Sequence, residues 1–300
     1  MSVRKITFPV GYTPKILLLG NGFNRAYDLQ SLDDLLASIS DEAISKEDAK
    51  SLEKVPFPLR TVILTQDKVD EGLKRISQQL CDLRIGAEEN ELLRRLISHR
   101  FDSILTTNYT YELERAIDPD FKIVPGTSCK HRMVALGDGP KYDKAQFKTY
   151  FYFDENHPPI WHIHGEAAKK GTMVLGHYYY GKLLSKAQQS INPLKSAIAN
   201  CKKRGLELVI NSWVDLFLLG DVHIIGLGMD FSEMDLWWLV NCKKRHFPNS
   251  KVTLYKPDIT REQELLARAY NVEVDKTVFE NKYRIYYHEM VEKFEKGEIR

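Results

Sequence analysis

Short apolar runs recur along this 300-residue chain, and most of them end in a polar turn that contains glycine or asparagine. Such runs are typical of strands that are buried on both faces of a parallel sheet. The strands that we predict cover 15–19, 103–106, 159–163, 222–227, 252–255 and 272–274. The predicted helices cover 67–83, 88–99, 111–117, 233–242 and 261–270. Strands that alternate with helices indicate a Rossmann-like three-layer α/β domain with a parallel sheet.

The whole chain, 1–300, is expected to form one such domain with helical and loop insertions. Its core is predicted to cover about 14–276, followed by a C-terminal helix at about 283–298. An irregular, polar and aromatic stretch at about 125–158 predicts an insertion between two strands, and its segment from Tyr142 to Phe153 is expected to close over a site as a lid. Ser232 is the expected N-cap of the helix that begins at Glu233.

Composition and charge exclude several classes of protein. The chain is 43% hydrophobic and 28% charged, which is ordinary for a globular protein. Its net charge of +2 gives no indication of binding to nucleic acid or to a membrane surface. Two basic runs, 202–204 and 243–245, are expected at helix ends, where cations complement the helix dipole. The sequence contains neither a secretory signal nor an apolar run of about 20 residues, so we expect a cytoplasmic protein.

The four cysteines are scattered and form no CxxC pair, so neither a zinc ribbon nor a disulfide framework is expected. His162 and His164 alternate along one predicted strand, which would put both rings on the same face. Two such histidines can bind a metal with Glu166 as the nearest carboxylate, or they can be ordinary buried side chains. We expect no metal.

The carboxyl ends of parallel strands meet at one edge of the sheet, where open α/β folds bind their ligands. The first turn, GNGFN at 20–24, allows a phosphate to approach the backbone closely, although tight packing would explain its glycines equally well. Asn108 follows the second strand and either caps the turn or holds a hydroxyl group. His164 follows the third strand and has a side chain suited to accepting a proton at neutral pH.

The ordered set GNGFN, TTNYT, IHG and GLGMDFSE resembles the sirtuin superfamily over about 16–274. The likeness is closest to the sirtuin-like NAD hydrolases of bacterial phage defence, such as the Thoeris effector, and to the abortive-infection family AbiH. It implies a sirtuin-like NAD-binding fold in which Asn108 and His164 are catalytic. The residues that it implies for binding NAD are Gly20, Asn21, Gly22, Phe23, Asn24, Thr107, Gly226, Gly228, Asp230, Tyr255 and Lys256.

Three departures from these families bear on function. The chain lacks the zinc-binding cysteine quartet of protein deacylases, it lacks the PDFR segment after the glycine loop, and it has Asn24 where AbiH-like sequences have aspartate. The resemblance therefore implies an NAD hydrolase that uses NAD as its substrate, acts in anti-phage defence, and is activated by a partner protein or by homo-oligomerisation. The alternatives are an NAD-dependent deacylase and a non-catalytic nucleotide-binding subunit of a defence complex.

Overall fold

A nine-stranded, mostly parallel sheet dominates the computed structural model, which describes residues 2–27, 51–52, 55–65, 69–135, 145–275, 277 and 282–299. The strands are β1 (Ser2–Arg4), β2 (Thr7–Phe8), β3 (Lys15–Leu19), β4 (Ser103–Thr106), β5 (Arg132–Ala135), β6 (Thr149–Phe151), β7 (Ile160–His162), β8 (Leu208–Val209), β9 (Asp221–Ile225), β10 (Val252–Tyr255) and β11 (Val272–Val274). β2 and β8 form a separate antiparallel pair.

Helices cover both faces of the sheet. They are α1 (Gly22–Arg25), α2 (Phe57–Thr65), α3 (Val69–Asp82), α4 (Ala87–Ser98), α5 (Glu112–Ile117), α6 (Ala145–Lys148), α7 (His177–Gln188), α8 (Ile191–Arg204), α9 (Trp213–Leu219), α10 (Met234–His246), α11 (Arg261–Ala269) and α12 (Tyr283–Glu295), with a 3₁₀ helix at Ala167–Thr172. Among the described helices, none is long and apolar enough to span a bilayer.

The six parallel strands lie in the order β7-β4-β3-β9-β10-β11. Numbered along the chain, this is the order 3-2-1-4-5-6 of a Rossmann fold, which confirms the predicted class. The strand order reverses between β3 and β9, and a crevice opens beyond their carboxyl ends. The chemistry of this fold is expected at that crevice.

Strand β3 shows why the apolar runs become central strands. Ile16, Leu17, Leu18 and Leu19 are all fully buried. Ile16 and Leu18 belong to the core on one side of the sheet, whereas Leu17 and Leu19 belong to the core on the other side. A strand with helices over both faces needs apolar side chains at every position.

The predicted insertion at 125–158 extends the sheet. β6 pairs antiparallel with both β5 and β7, and β1 adds to β5 in parallel. The aromatic side chains Tyr150 and Phe151 are buried because β6 is an internal strand. The lid prediction is therefore wrong for 145–153, and its first residues, 142–144, lie outside the described residues.

Helix boundaries correct one capping prediction and confirm another. α10 begins at Met234 with Glu233 at the N-cap position, so Ser232 is not the N-cap. The cause is a turn in which the Glu233 amide donates to the Asp230 carbonyl (3.0 Å), which delays the start of the helix. The basic runs 202–204 and 243–245 do lie in the last turns of α8 and α10, as predicted.

Candidate active site

A cavity of about 560 Å³ lies at the carboxyl ends of the central strands. This volume is within the range of small-molecule and cofactor sites. The turns after β3, β4, β7, β9 and β10 line it, and α12 contributes the side chains of Tyr283 and Tyr287. The predicted residues that line the cavity are Asn21, Gly22, Thr107, Asn108, His164, Gly226, Gly228, Asp230, Tyr255 and Lys256.

The glycines of the first turn hold it against the turn after β9. The Gly22 amide donates to the Gly226 carbonyl at 2.7 Å, and the Gly20 amide donates to the Ile225 carbonyl at 2.9 Å. A Cβ atom at Gly22 would lie 2.6 Å from the Gly226 oxygen, and Gly226 has a positive φ of 68°. These positions thus require glycine for close packing, and the amides of Gly20 and Gly22 are already used within the protein.

Three of the residues predicted to bind NAD do not line the cavity. Gly20 packs against Leu227 and the Gly226 carbonyl. Phe23 is fully buried, and its ring centroid is 4.8 Å from that of Tyr287. Asn24 is 1% exposed and donates from Nδ2 to Glu112 Oε1 at 3.1 Å. Asn24 and Phe23 therefore form the layer beneath the cavity.

Glu112, at the start of α5, joins the first two turns. Its Oε1 accepts hydrogen bonds from Asn24 Nδ2 and from Asn108 Nδ2, the latter at 2.5 Å. Its Oε2 accepts from the Thr110 hydroxyl at 2.5 Å. Glu112 itself is 2% exposed, so these three donors replace the water that a buried carboxylate has lost.

His164 lies at the carboxyl edge, one residue beyond Ile163 and two beyond the end of β7. Its Nε2 is 2.7 Å from Asp235 Oδ2, in the first turn of α10. Asp235 is 1% exposed, whereas the His164 ring lines the cavity. A carboxylate on one ring nitrogen fixes the imidazole and leaves Nδ1 as the atom that can accept a proton.

His162 contacts Tyr111 and Phe151 in the core on one side of the sheet, whereas His164 contacts Tyr180 in the core on the other side, so the prediction that both histidines share a face is wrong. β7 ends at His162, and strand alternation does not continue to His164. His162 Nε2 is 2.9 Å from Glu114 Oε1, and Nδ1 is 2.8 Å from the Asn108 carbonyl oxygen. Burial lowers the pKa of His162, but the Glu114 carboxylate outweighs burial and raises it to about 9.

Glu166, the third member of the possible metal set, has other partners. Its carboxylate accepts from Arg132 Nε at 3.0 Å and Nη2 at 2.6 Å, and from the Tyr111 hydroxyl at 2.9 Å. Within the described ranges, no group of three or more His, Cys, Asp or Glu side chains is arranged to hold a metal ion.

Charged side chains of both signs line the rest of the cavity. Arg25 and Lys256 bring cations, and Lys256 Nζ is 2.8 Å from Asp258 Oδ1. Asp230 and Glu233 bring carboxyl groups from the turn after β9. Burial, and next the charges of Asp235 and Asp230, raise the pKa of Glu233 to about 8. The Glu233 carboxyl therefore keeps its proton to a higher pH than an exposed glutamate does.

Sequence reasoning missed the carboxylates that hold the two central residues. Asp235 is 71 positions from His164, so no local pattern joins them. Glu112 lies four positions after Asn108, but Asn108 precedes the helix that begins at Glu112, so helical spacing does not account for their contact. No sequence pattern indicated that the tyrosines of α12 belong to the site, because α12 is near the C-terminal end of the chain and reaches the cavity only through tertiary packing.

No curated protein matches this chain. One family model does match, and the match covers about a third of the chain. The matched stretch runs from just before β4 to the residue after α8, and it contains Asn108 and His164. Residues 102–205 match the family model of the SIR2-like domain.

Proposed function

We propose that this protein is an NAD hydrolase that cleaves the bond between nicotinamide and ribose. The SIR2-like match points to a function that involves NAD. The observation that carries the finer proposal is the His164–Asp235 pair at the cavity, with Asn108 beside it in the lining. These are groups that can activate a water and orient a sugar.

The reaction makes modest demands on the protein. Nicotinamide leaves the cationic pyridinium of NAD as a neutral molecule, so its departure needs no general acid. The ribose becomes oxocarbenium-like, as in glycoside cleavage, and a water attacks its anomeric carbon. The water's proton passes to His164 Nδ1, and the Asp235 carboxylate stabilises the imidazolium that forms. The products are nicotinamide, ADP-ribose and one proton.

Two features support a dinucleotide as the substrate. The cavity crosses the point where the strand order reverses, which is where Rossmann folds bind dinucleotides. Arg25 and Lys256 provide cations for a diphosphate, while the tyrosines of α12 and Tyr255 provide aromatic surface. The residues proposed to contact NAD are those of the predicted set that line the cavity.

The direct test incubates purified protein with NAD and follows nicotinamide and ADP-ribose by chromatography. We expect both products in equal amounts from wild type, in full only after a lysate of phage-infected bacteria supplies the activator, and about a thousandfold less of both from His164→Ala under the same conditions. An acyl-lysine peptide in the same assay tests the deacylase alternative. Tight NAD binding without turnover, in both the presence and absence of a bacterial lysate, would favour the non-catalytic subunit.

The proposal extends to anti-phage defence, on the resemblance of the GNGFN, TTNYT and IHG motifs to defence NAD hydrolases. Unrestrained NAD hydrolysis kills a cell, so such an enzyme must stay silent until a partner or self-assembly activates it. Expression in bacteria with and without phage, followed by measurement of cellular NAD, tests this role. A fall in NAD that requires both phage and His164 supports it.

A further inference from the structure

The buried amides of Asn24 and Asn108 share one hydrogen-bond acceptor. Both Nδ2 atoms donate to Oε1 of Glu112, at 3.1 Å and 2.5 Å respectively. Asn24 and Glu112 do not line the cavity, whereas Asn108 does. Glu112 is therefore beneath the lining, on the protein side of Asn108.

A carboxylate can only accept hydrogen bonds, whereas an asparagine amide has a donating end and an accepting end. Glu112 consequently selects one of the two amide orientations of Asn108, with the NH₂ group inward. The oxygen of the same amide then points away from Glu112. Asn108 Oδ1 is buried and has no hydrogen-bond partner among the residues that the structure describes. A buried amide oxygen without a partner is costly, and a ligand that donates to it recovers that cost.

We propose that Glu112 is a positioning residue that fixes Asn108 as a hydrogen-bond acceptor, so that Asn108 binds a hydroxyl group of the distal ribose. This inference rests on the proposed function, which supplies the ribose. Glu112 does not touch the ligand, and it acts only through the orientation of the Asn108 amide.

Asn24 strengthens the same arrangement. As an amide it donates to Glu112, whereas an aspartate at this position would oppose a second carboxylate to Glu112 in a buried site. The Thr110 hydroxyl occupies the other oxygen of Glu112. With all three donors in place, Glu112 has little freedom to rotate, and Asn108 is held in one orientation before the ligand arrives.

The test measures binding of ADP-ribose and of its two analogues that lack the 2-hydroxyl or the 3-hydroxyl of the distal ribose. Isothermal titration is performed on wild type, Glu112→Gln and Glu89→Gln. Glutamine at 112 both donates and accepts, so the Asn108 amide is free to turn over. Glu89 is a matched control, since it is also fully buried on a neighbouring helix but makes no hydrogen bond to either asparagine among the described contacts.

For wild type we expect one of the two deoxy analogues to bind about 5- to 10-fold more weakly than ADP-ribose. That ratio should fall to about twofold or less in Glu112→Gln and should persist in Glu89→Gln. If the ratio of the two affinities is unchanged in Glu112→Gln, Glu112 does not position Asn108. If wild type binds ADP-ribose and both deoxy analogues equally well, Asn108 does not bind a ribose hydroxyl. Failure of wild type to bind ADP-ribose at all overturns the proposed function and this inference with it.

A second variant keeps the proposal testable if Glu112→Gln does not fold. Asn108→Leu removes the accepting oxygen and keeps a side chain of similar size. ADP-ribose and both deoxy analogues should then bind with affinities within about twofold of one another. A ratio in Asn108→Leu equal to that of wild type overturns the proposal.

Discussion

The molecule contains two histidine–carboxylate pairs whose histidines are two positions apart in sequence. The two pairs lie on opposite sides of the sheet. His164 pairs with Asp235 at 2.7 Å and lines the cavity, whereas His162 pairs with Glu114 at 2.9 Å in the core. Both rings are about equally buried. A buried histidine paired with a buried carboxylate is therefore common to both pairs, and access to the cavity is what distinguishes the candidate for catalysis from the structural pair.

The largest expected effect breaks the first pair. His164→Ala should lower NAD turnover about a thousandfold, the scale of a lost general base, when rates are compared at equal folded fraction, because Asp235 is also left buried without its partner and stability falls. His157→Ala is the matched control, because His157 forms a similar pair with Asp154 at 2.9 Å on the surface. Initial rates and urea unfolding measure the two quantities. Turnover by His164→Ala at the wild-type rate would remove His164 from the mechanism.

Breaking the second pair should lower stability without a comparable loss of turnover. Glu114→Ala leaves His162 buried without its partner, and we expect the unfolding free energy to fall by about 3 kcal/mol or more. The folded fraction should keep turnover within about tenfold of wild type, since neither member of the pair lines the cavity. Urea titration and rates corrected for the folded fraction measure this. A thousandfold loss of turnover in a fully folded sample would contradict the distinction between the pairs.

A milder substitution tests the role of Asp235, the carboxylate of the first pair. Asp235→Asn keeps the size of the side chain but removes the charge that stabilises the imidazolium and fixes its tautomer. We expect kcat to fall about 100-fold, with a smaller change in KM. Steady-state kinetics distinguish the two parameters. An effect confined to KM would show that Asp235 serves binding and not proton transfer.

A further expected effect is the pH dependence of stability. The pKa of His162 is about 9 in the folded protein and about 6.5 when unfolded, so the folded state holds the proton more tightly. The resulting stabilisation is complete below pH 6.5 and is lost as pH rises to about 9. We expect the unfolding free energy of wild type to fall over this window more than that of Glu114→Gln, which lacks the charge. Parallel curves for the two proteins would refute the assigned coupling.

The sequence predicted the parts of the molecule that depend on local pattern. The all-apolar β3 and the helical periods of α3 and α4 were each recognisable within a few residues, and the alternation of strands with helices then gave the Rossmann class. Asn108 and His164 were predicted as site residues for a related reason, since each lies just beyond the carboxyl end of a strand, and the structure places both in the cavity lining.

The rest of the site depends on contacts between distant segments. Asp235 reaches His164 only because β9 neighbours β3 in the sheet, and Glu112 reaches Asn24 across 88 positions. β6 has three residues, too few for its alternation to distinguish a strand from an aromatic loop. The shared face of His162 and His164 was predicted wrongly because strand periodicity was extended beyond His162, where β7 ends.

The contact between the first turn and the turn after β9 has a consequence for synthesis on the ribosome. Gly22 is made early, but the Gly226 carbonyl that its amide needs emerges about 200 residues later. Until then the edge of β3 that pairs with β9 is open, and an open apolar strand edge invites pairing with other chains. Nascent chains of this protein thus depend on the late strand β9 to cover the edge of β3, and the crevice at the carboxyl ends of these strands cannot form before β9 is made.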